Sequence, residues 1–377
     1  MNNNDQYVYG IDALRFLAAL FVAVFHLSYR NAEGVHFLPF GWIGVQLFFV
    51  ISGVVIANSA SRAVAADFLI GRFLRLYPAA WIAALINGAI LLALPRSVYQ
   101  EMGINVIPQL GAFLRSLVLF ADYFLASSYW TLPIELAFYL LVAVSLLRGG
   151  AASLRNIARL LVAISLPYTI ALFLHDAGFI DQPWLDFGYG LKNALLLRHG
   201  PYFALGMYIW LRKQKQPLGR SDRLAIMAAL VLAGLEILAR ASETVGLYAT
   251  GPDGRLTLPF LAIGGLASFL LLLCALYVAV LHKERLMPPL RLRGWLRGAG
   301  LITYPFYLLH EVVGGAMLHL LSPLRLAFPL ALCIALAGVG VAALAISGWG
   351  EAVLRRYLKA LISAIRLKLG AGRAARI

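Results

Sequence analysis

The chain has 377 residues, of which 62% are hydrophobic and only 13% are charged, and it carries a formal net charge of +15. Soluble domains are typically about 45–50% apolar and about 25% charged. This composition excludes a single soluble core and favours a protein that uses lipid as its solvent. At about 20 apolar residues per crossing, the length leaves room for roughly 8–11 spans and for no separate soluble domain.

Apolar runs separated by charges, glycines and prolines predict an all-α polytopic bundle of about ten membrane-spanning helices. The segment 105–126 is also apolar, but its Arg115 and Asp122 lead us to place it on the outer side as a partly buried lid. Arg15 lies within the first run and no cleavage site follows, so we expect that run to remain as the first helix. The ten predicted spans cover residues 11–30, 41–61, 78–95, 131–147, 160–175, 194–211, 223–240, 259–281, 300–320 and 326–347.

Basic residues concentrate in alternate connections between these spans. Five segments hold 23 of the 32 Lys and Arg residues, and the opposite loops hold acids instead. The positive-inside rule then predicts that both termini are cytoplasmic, as in a multi-pass protein of a bacterial-type inner membrane. We divide the chain into a transmembrane domain, 1–347, and a basic cytoplasmic tail, 348–377. The net charge reports topology and contact with anionic lipid, and it requires no nucleic acid.

Arg15 and His26 are the first ionisable residues that lie within a span, where such side chains are costly and are functional candidates. They are eleven residues apart, so at 100° per residue they share one helix face and lie about 16 Å apart along the axis. An interfacial arginine and a packed histidine are the structural alternative, and the spacing alone does not decide between the two.

Arg72 and Arg75 lie at the cytoplasmic start of the third span, three residues apart on one helix face. Guanidinium groups suit phosphate recognition because they bind it in a bidentate manner. Charges that fix topology by binding lipid headgroups are common at this boundary, and they are the competing interpretation.

Glu135 follows Tyr129–Pro133 in the span that enters from outside. Counting helical rise from each side places this carboxylate at nearly the same depth as His26. We therefore expect Glu135 to contact the His26 ring, which a carboxylate would orient and make more basic. A protonated carboxyl group bonded to Thr or Tyr is the alternative.

The ninth predicted span contains Tyr304, Pro305, His310 and Glu311 near mid-membrane, a set that packing does not readily explain. His310 is interpreted as a second catalytic group or a pocket wall. Tyr304 is a candidate donor to a reacting oxyanion or to carbonyls that Pro305 frees. Ser52 is a second candidate donor, although the glycines around it also suit close helix packing.

Several cofactor and metal chemistries have no matching motif. The sequence contains no phosphate-binding glycine loop, dinucleotide motif, zinc-ligand spacing or serine nucleophile elbow. Cys274 and Cys333 both lie inside apolar runs and are interpreted as small hydrophobes. We therefore expect neither a metal nor a permanently bound cofactor. A proton-coupled secondary transporter also uses intramembrane His, Glu and Arg, and it is the alternative function, although no inverted repeat is visible.

Five motifs in order resemble the acyltransferase-3 family of membrane acyltransferases, and together they span residues 14–310. They are Leu14–His26, Gly41–Gly53, Arg72–Pro78, Trp130–Tyr139 and Thr303–His310. The resemblance implies a ten-helix bundle that takes acyl-coenzyme A, commonly acetyl-coenzyme A, from the cytoplasm. Its acceptor would be a saccharide or glycolipid hydroxyl.

The resemblance also assigns roles by position. It matches Arg15 and His26 to the arginine and histidine on which the family depends, and Arg72 and Arg75 to its cytoplasmic arginine pair. It matches Glu135 to the family's glutamate in the fourth span, although a second acid common there is replaced by Leu136. No extracytoplasmic esterase-like domain is present in the sequence.

These assignments combine into one mechanism. Arg72, Arg75 and Arg15 would hold the nucleotide phosphates of acyl-coenzyme A, while His26 takes the acceptor proton and Glu135 orients it. Tyr304 or Ser52 would donate to the oxyanion, with neither favoured. Transfer through an acyl-histidine remains an open alternative, and the oligomeric state is not predicted.

Overall fold

A computed structural model describes residues 7–28, 37–101, 110–119, 124–180, 194–248 and 257–374. Throughout these ranges the chain is helical or irregular, and no strand occurs. The helices are, in order, α1 (Tyr9–Ser28), α2 (Ile43–Ala60), α3 (Ala65–Ala93), α4 (Arg96–Glu101), α5 (Leu110–Val118), α6 (Thr131–Gly149), α7 (Leu154–Asp176), α8 (Gly200–Lys213), α9 (Arg220–Tyr248), α10 (Leu258–Leu281), α11 (Leu290–Leu321), α12 (Phe328–Ala345) and α13 (Glu351–Ala374).

Each of the ten predicted spans corresponds to one long helix, so the predicted all-α membrane bundle is confirmed. Eight helical stretches in the described residues are long and apolar enough to cross a membrane, and one of them, Ser127–His175, contains both α6 and α7. Helix α8 is shorter, at 14 residues, but every residue from Gly200 to Leu211 is buried. This helix lies in the centre of the bundle rather than against lipid. The chain is a multi-pass membrane protein, and the sidedness of its termini stays a prediction.

Small residues allow the central helices to approach closely. A Cβ atom at Gly53 of α2 would lie 2.2 Å from the backbone oxygen of Phe203 in α8, and one at Gly206 would lie 2.0 Å from that of Val50. A side chain at either position would push the two helices apart. The close packing that was predicted for the glycines around Ser52 is therefore present, and it joins α2 to α8.

Two helices contain a proline whose freed carbonyl is bonded by a side chain from near the C-terminus. A proline removes the hydrogen bond to the carbonyl four residues earlier. Pro305 in α11 frees the carbonyl of Leu301, which accepts a hydrogen bond from the Ser347 hydroxyl at 3.3 Å. Pro78 in α3 frees the carbonyl of Leu74, which accepts a bond from Arg355 Nε at 3.1 Å. In both helices the freed carbonyl is thus hydrogen-bonded by a residue from another part of the chain.

The lid and the tail are helical where the structure describes them. The predicted lid includes α5, whose nine residues are too few to cross a bilayer, and it rests on α3 through Tyr77 and Trp81. Most of the predicted basic tail forms α13, which also packs against α3, with Arg366 paired to Asp67 at 2.7 Å. The domain boundary at residue 347 stays a prediction.

Candidate active site

His26 and His310 form a direct pair across α1 and α11. The Nδ1 atom of His26 lies 2.8 Å from Nε2 of His310, and the two rings are stacked with centroids 5.1 Å apart. On its other side, His310 Nδ1 lies 2.6 Å from the backbone oxygen of Tyr307. His310 is completely buried. The sequence offered it only as a second catalytic group or a pocket wall, and the structure makes it the partner of His26.

The carbonyl at one end of this chain fixes the tautomer of both rings. A carbonyl oxygen only accepts, so His310 must carry its proton on Nδ1 and leave Nε2 as an acceptor. His26 must then donate from its own Nδ1. In the neutral pair, the basic lone pair of His26 is therefore on Nε2. This assignment follows from the hydrogen-bond geometry alone.

Glu135 does not lie beside His26, and the predicted contact between them was wrong. The Glu135 carboxylate accepts hydrogen bonds from the Ser52 hydroxyl at 3.0 Å and from the Tyr139 hydroxyl. The Glu135 carboxylate also lies within electrostatic range of Arg15. His310 occupies the place beside His26 that we expected Glu135 to fill.

The error arose because α6 begins deeper than the sequence suggests. A short 3₁₀ turn, Ser127–Trp130, precedes it, and the Ser127 hydroxyl donates to the Glu311 carboxylate at 2.8 Å. The turn is therefore level with the residue that follows His310. Glu135 comes seven residues after Ser128, which places it roughly 10 Å farther along the axis. The sequence-based estimate of the depth of Glu135 had assumed that its span begins at the outer surface.

A small cavity of about 60 Å³ lies beside Tyr307, whose backbone oxygen is bonded to His310. A cavity of this size holds a few water molecules or a small acyl group. Two groups that border it, the Nε of Arg15 and the hydroxyl of Tyr304, are buried with no hydrogen-bond partner among the described residues. Its polar lining residues are Arg15, Ser52, Thr131, Glu135, Thr303 and Tyr304.

Orphaned donors around a cavity mark it as a place for a polar ligand, because an unsatisfied buried donor costs about 1–3 kcal/mol. Ser52 differs from Tyr304 in this respect. Its single hydroxyl proton is already used by Glu135, so Ser52 holds the carboxylate rather than presenting a donor. Of the two oxyanion donors considered from the sequence, the structure leaves Tyr304 available.

The predicted arginine pair takes two different environments. Arg72 lies against the rings of Phe68 and Tyr139, with its Cζ atom 5.8 and 6.0 Å from their centroids. Its Nε is buried and has no hydrogen-bond partner among the described residues. Arg75 forms an ion pair of 3.5 Å with Glu351 of α13. Arg72 therefore borders the Glu135 cluster through Tyr139, whereas Arg75 is partly neutralised by the tail helix.

A second buried charge cluster was missed in the sequence. Glu236 of α9 is 1% exposed and accepts hydrogen bonds from Arg198 at 2.9 Å, Tyr202 at 2.7 Å and Gln46 at 3.3 Å. The available signal was Arg198 at the start of a span, because an intramembrane arginine implies a buried acid.

His199 belongs to the same neighbourhood and was also missed. Its ring packs against Phe49 and Trp130, with centroids 4.9 and 5.5 Å away, and its Nδ1 is buried without a partner in the described part of the chain. Phe49 also lines the small cavity. The Glu236 cluster and the cavity are thus separated by a single layer of aromatic rings.

Comparison with known sequences gives three findings. A family model described as an acyltransferase domain matches residues 8–347. A Bacillus subtilis protein named "Putative peptidoglycan O-acetyltransferase" is 27% identical over 330 residues, which cover 82% of this chain and 49% of that protein. A peptidoglycan O-acetyltransferase of Listeria monocytogenes is 38% identical over 84 residues, or 20% of this chain and 12% of that protein. No solved structure matches. The chain thus spans about half the length of the first relative and less of the second.

Proposed function

Because this chain belongs to the acyltransferase-3 family, we propose that it moves an acyl group, acetyl in the first instance, from cytoplasmic acyl-coenzyme A to a hydroxyl of an extracytoplasmic or lipid-linked saccharide. The family makes the chain an acyltransferase, so the transporter alternative is not carried further. The saccharide acceptor is supported by the two relatives, whose names specify O-acetylation of peptidoglycan. We place the protein in a bacterial-type inner membrane, with both termini in the cytoplasm.

One observation carries the chemistry: the chain of hydrogen bonds from His26 through His310 to the Tyr307 carbonyl. It leaves a lone pair on His26 Nε2 and holds the ring in place, which is what a general base requires. His26 would take the proton of the acceptor hydroxyl as its oxygen attacks the thioester carbonyl. His310 then stabilises the resulting imidazolium by accepting its Nδ1 proton in a hydrogen bond, the role that we had first given to Glu135.

The remaining steps balance around the tetrahedral adduct. The carbon–sulfur bond breaks, the coenzyme A thiolate leaves, and the imidazolium returns its proton to the sulfur. The ester product keeps the acceptor oxygen, and His26 is restored. Direct transfer needs no covalent intermediate. If His26 Nε2 itself attacked the thioester, an acyl-histidine would form and the thiolate would leave unprotonated. The acceptor hydroxyl would then displace His26, and its proton would go to the thiolate.

The small cavity is where we place the thioester end of the donor. Arg15 and Tyr304 have buried donor groups that lack partners there, and carbonyl oxygens of the acyl and pantetheine groups would satisfy them. Arg72 and Arg75 would contribute positive charge toward the phosphates of the donor. Glu135 becomes a positioning residue, because Ser52 and Tyr139 hold it within range of Arg15.

The test is thiol release and acyl transfer by the purified protein in lipid nanodiscs, using labelled acetyl-coenzyme A and glycan acceptors. The parent should release coenzyme A in an acceptor-dependent manner. Two variants, His26→Ala and His310→Ala, are compared with His282→Ala, because His282 is an exposed histidine outside the site. Transfer from a different activated donor, with none from acetyl-coenzyme A, would reject the donor assignment but keep the histidine base.

A further inference from the structure

A second and much larger cavity, of about 610 Å³, lies where α2, α8 and α10 end. Its volume falls in the range typical of small-molecule sites. Apart from Tyr7, Asn58 and two apolar residues of α10, most of its wall is charged, by Arg62, Arg212, Lys213, Lys215, Lys283 and Glu284. None of these residues borders the small cavity of the candidate active site. The basic cavity is therefore a separate feature of the same bundle.

Five cations and one acid line this cavity. Two other groups of arginines in the described residues share a carboxylate: Asp222 pairs with Arg155 and Arg159, and Glu351 with Arg75 and Arg355. Within the same part of the chain, no side-chain ion pair forms at the cations that end α8. These are Arg212, Lys213 and Lys215.

Positive charges that converge on one space repel one another. Lys213, which is half-buried, lies within electrostatic range of both Arg62 and Lys283. No acid among the described residues forms an ion pair with Lys213. An anion of two or more charges would offset the repulsion and would gain several charge-assisted hydrogen bonds.

Tyr7 adds a neutral phenol to the wall, and its hydroxyl proton is donated to Asp12. Burial raises the pKa of the Tyr7 phenol, and its hydrogen bond to Asp12 raises it further, so the group stays uncharged at neutral pH. Its ring also offers an apolar face to the cavity. The wall thus combines cations with a neutral phenol and two amides, Asn58 and Gln214.

Lys215 shows that a cation is retained where the backbone favours glycine. Its φ angle is 55°, in the left-handed region, directly after α8. The amide of Gln216 bonds the carbonyl of Leu211 at 3.1 Å, the closing bond of a helix C-cap that usually places glycine at this position. A lysine in this conformation is less favourable than glycine, and Lys215 lines the basic cavity.

We propose that the basic cavity binds a phosphate-bearing ligand with at least two negative charges. The inference goes beyond the proposed function and does not depend on it, because it concerns a site that the transfer chemistry does not use. The phosphate has two possible sources, a soluble phosphorylated molecule and the headgroup of an anionic lipid. Both present the same chemistry to the five cations.

The test uses the full chain in nanodiscs of phosphatidylcholine, with inorganic pyrophosphate as the soluble probe and calorimetry as the readout. Lys215→Gly removes one cation while relieving the left-handed backbone, so it should not unfold the protein. Combined with Lys213→Gln, it should weaken pyrophosphate binding tenfold or more. Lys359→Gln is the matched control, because it removes an exposed cation on α13, away from the cavity.

A second arm replaces part of the phosphatidylcholine with phosphatidylglycerol and counts the lipids that stay bound to the protein in native mass spectrometry. Pyrophosphate binding that the double variant loses and the control keeps identifies a soluble ligand. Retained phosphatidylglycerol that only the double variant loses identifies a lipid headgroup. If neither probe binds more tightly to the parent than to the double variant, the proposal is wrong, whatever the acyl-transfer assay gives.

Discussion

The bundle contains two intramembrane carboxylates, Glu135 and Glu236, that the protein treats differently. Glu236 is almost fully buried and receives a guanidinium, a phenol and an amide, so its charge and its hydrogen bonds are both satisfied. Glu135 is partly exposed to a cavity and is held by two hydroxyl groups. Arg15 lies within electrostatic range of it, yet one donor of that arginine has no partner.

We infer from this difference that Glu236 has a structural role and that Glu135 has a functional one. A buried ion pair with complete hydrogen bonding resists change, because removing one partner leaves the other charge uncompensated. A carboxylate beside a cavity with orphaned donors has capacity left for a ligand. Both residues are ionisable groups in a span, and that position alone does not distinguish them. Their surroundings do.

The largest effect is expected for His26, the proposed general base. His26→Ala should lower acyl transfer by about 10²–10⁴-fold, because general-base catalysis typically contributes that much. His310→Ala should give a smaller loss, since a ring without its acceptor is still a base. Single-turnover transfer from labelled acetyl-coenzyme A measures both. Near-normal turnover of the His26→Ala protein would contradict the mechanism.

The next effect concerns stability in the Glu236 region. Glu236→Gln should lower the free energy of unfolding by about 3 kcal/mol, because Arg198 loses the charge that compensates its burial. The pair of Arg198 with Glu243 at 2.9 Å limits the loss. Thermal unfolding in detergent is the measurement. A fully stable variant with reduced transfer would instead move Glu236 into the catalytic machinery.

The same substitution at Glu135 should act on rate alone. Glu135→Gln keeps an acceptor for Ser52 and Tyr139 but removes the charge that faces Arg15, so we expect about tenfold slower transfer with little change in unfolding temperature. Rate and unfolding are measured on one preparation of each glutamine variant. Equal loss of stability in the two variants would erase the distinction between the two carboxylates.

The smallest effect is expected at the edge of the cavity region, where α13 meets Arg75. Glu351→Gln should release Arg75 and lower KM for acyl-coenzyme A a few-fold, since partly exposed ion pairs are worth about 0–1 kcal/mol. Asp67→Asn is the matched control, because it breaks the Arg366 pair on the same helix without involving Arg75. A KM that is unchanged, or that changes equally in both variants, would remove Arg75 from donor binding.

Hydropathy and punctuation were sufficient to predict the helices, because a bilayer requires long apolar runs and leaves few other options. The same signals did not predict which side chains meet. His26 and His310 are 284 residues apart in the chain, and only the packing of α1 on α11 brings them together. The His26–Glu135 contact failed for a local reason. Helix α6 begins at Thr131 as predicted, but Thr131 lies beside Tyr307, well before α11 ends at Leu321.

The Glu236 cluster shows a different limit of the sequence. Its members come from α2, α9 and the segment before α8 as well as from α8 itself, and each looks unremarkable within its own run. Arg198 and Glu236 are 38 residues apart, in the segment before α8 and in α9. Hydropathy places both residues in predicted spans but does not show that they pair.

The C-terminal segment has a structural role, because it bonds the two carbonyls that prolines free in α3 and α11. Arg355 closes the gap behind Pro78, near Arg72 and Arg75, and Ser347 closes the gap behind Pro305, below His310. The C-terminal segment therefore stabilises α3 and α11 at the two places where a proline interrupts their backbone hydrogen bonds. A protein shortened after residue 347 would keep every motif of the family match and still lose the brace behind Pro78. Helix α3 would then be free to bend at Pro78, and Arg72 and Arg75 would be held less rigidly.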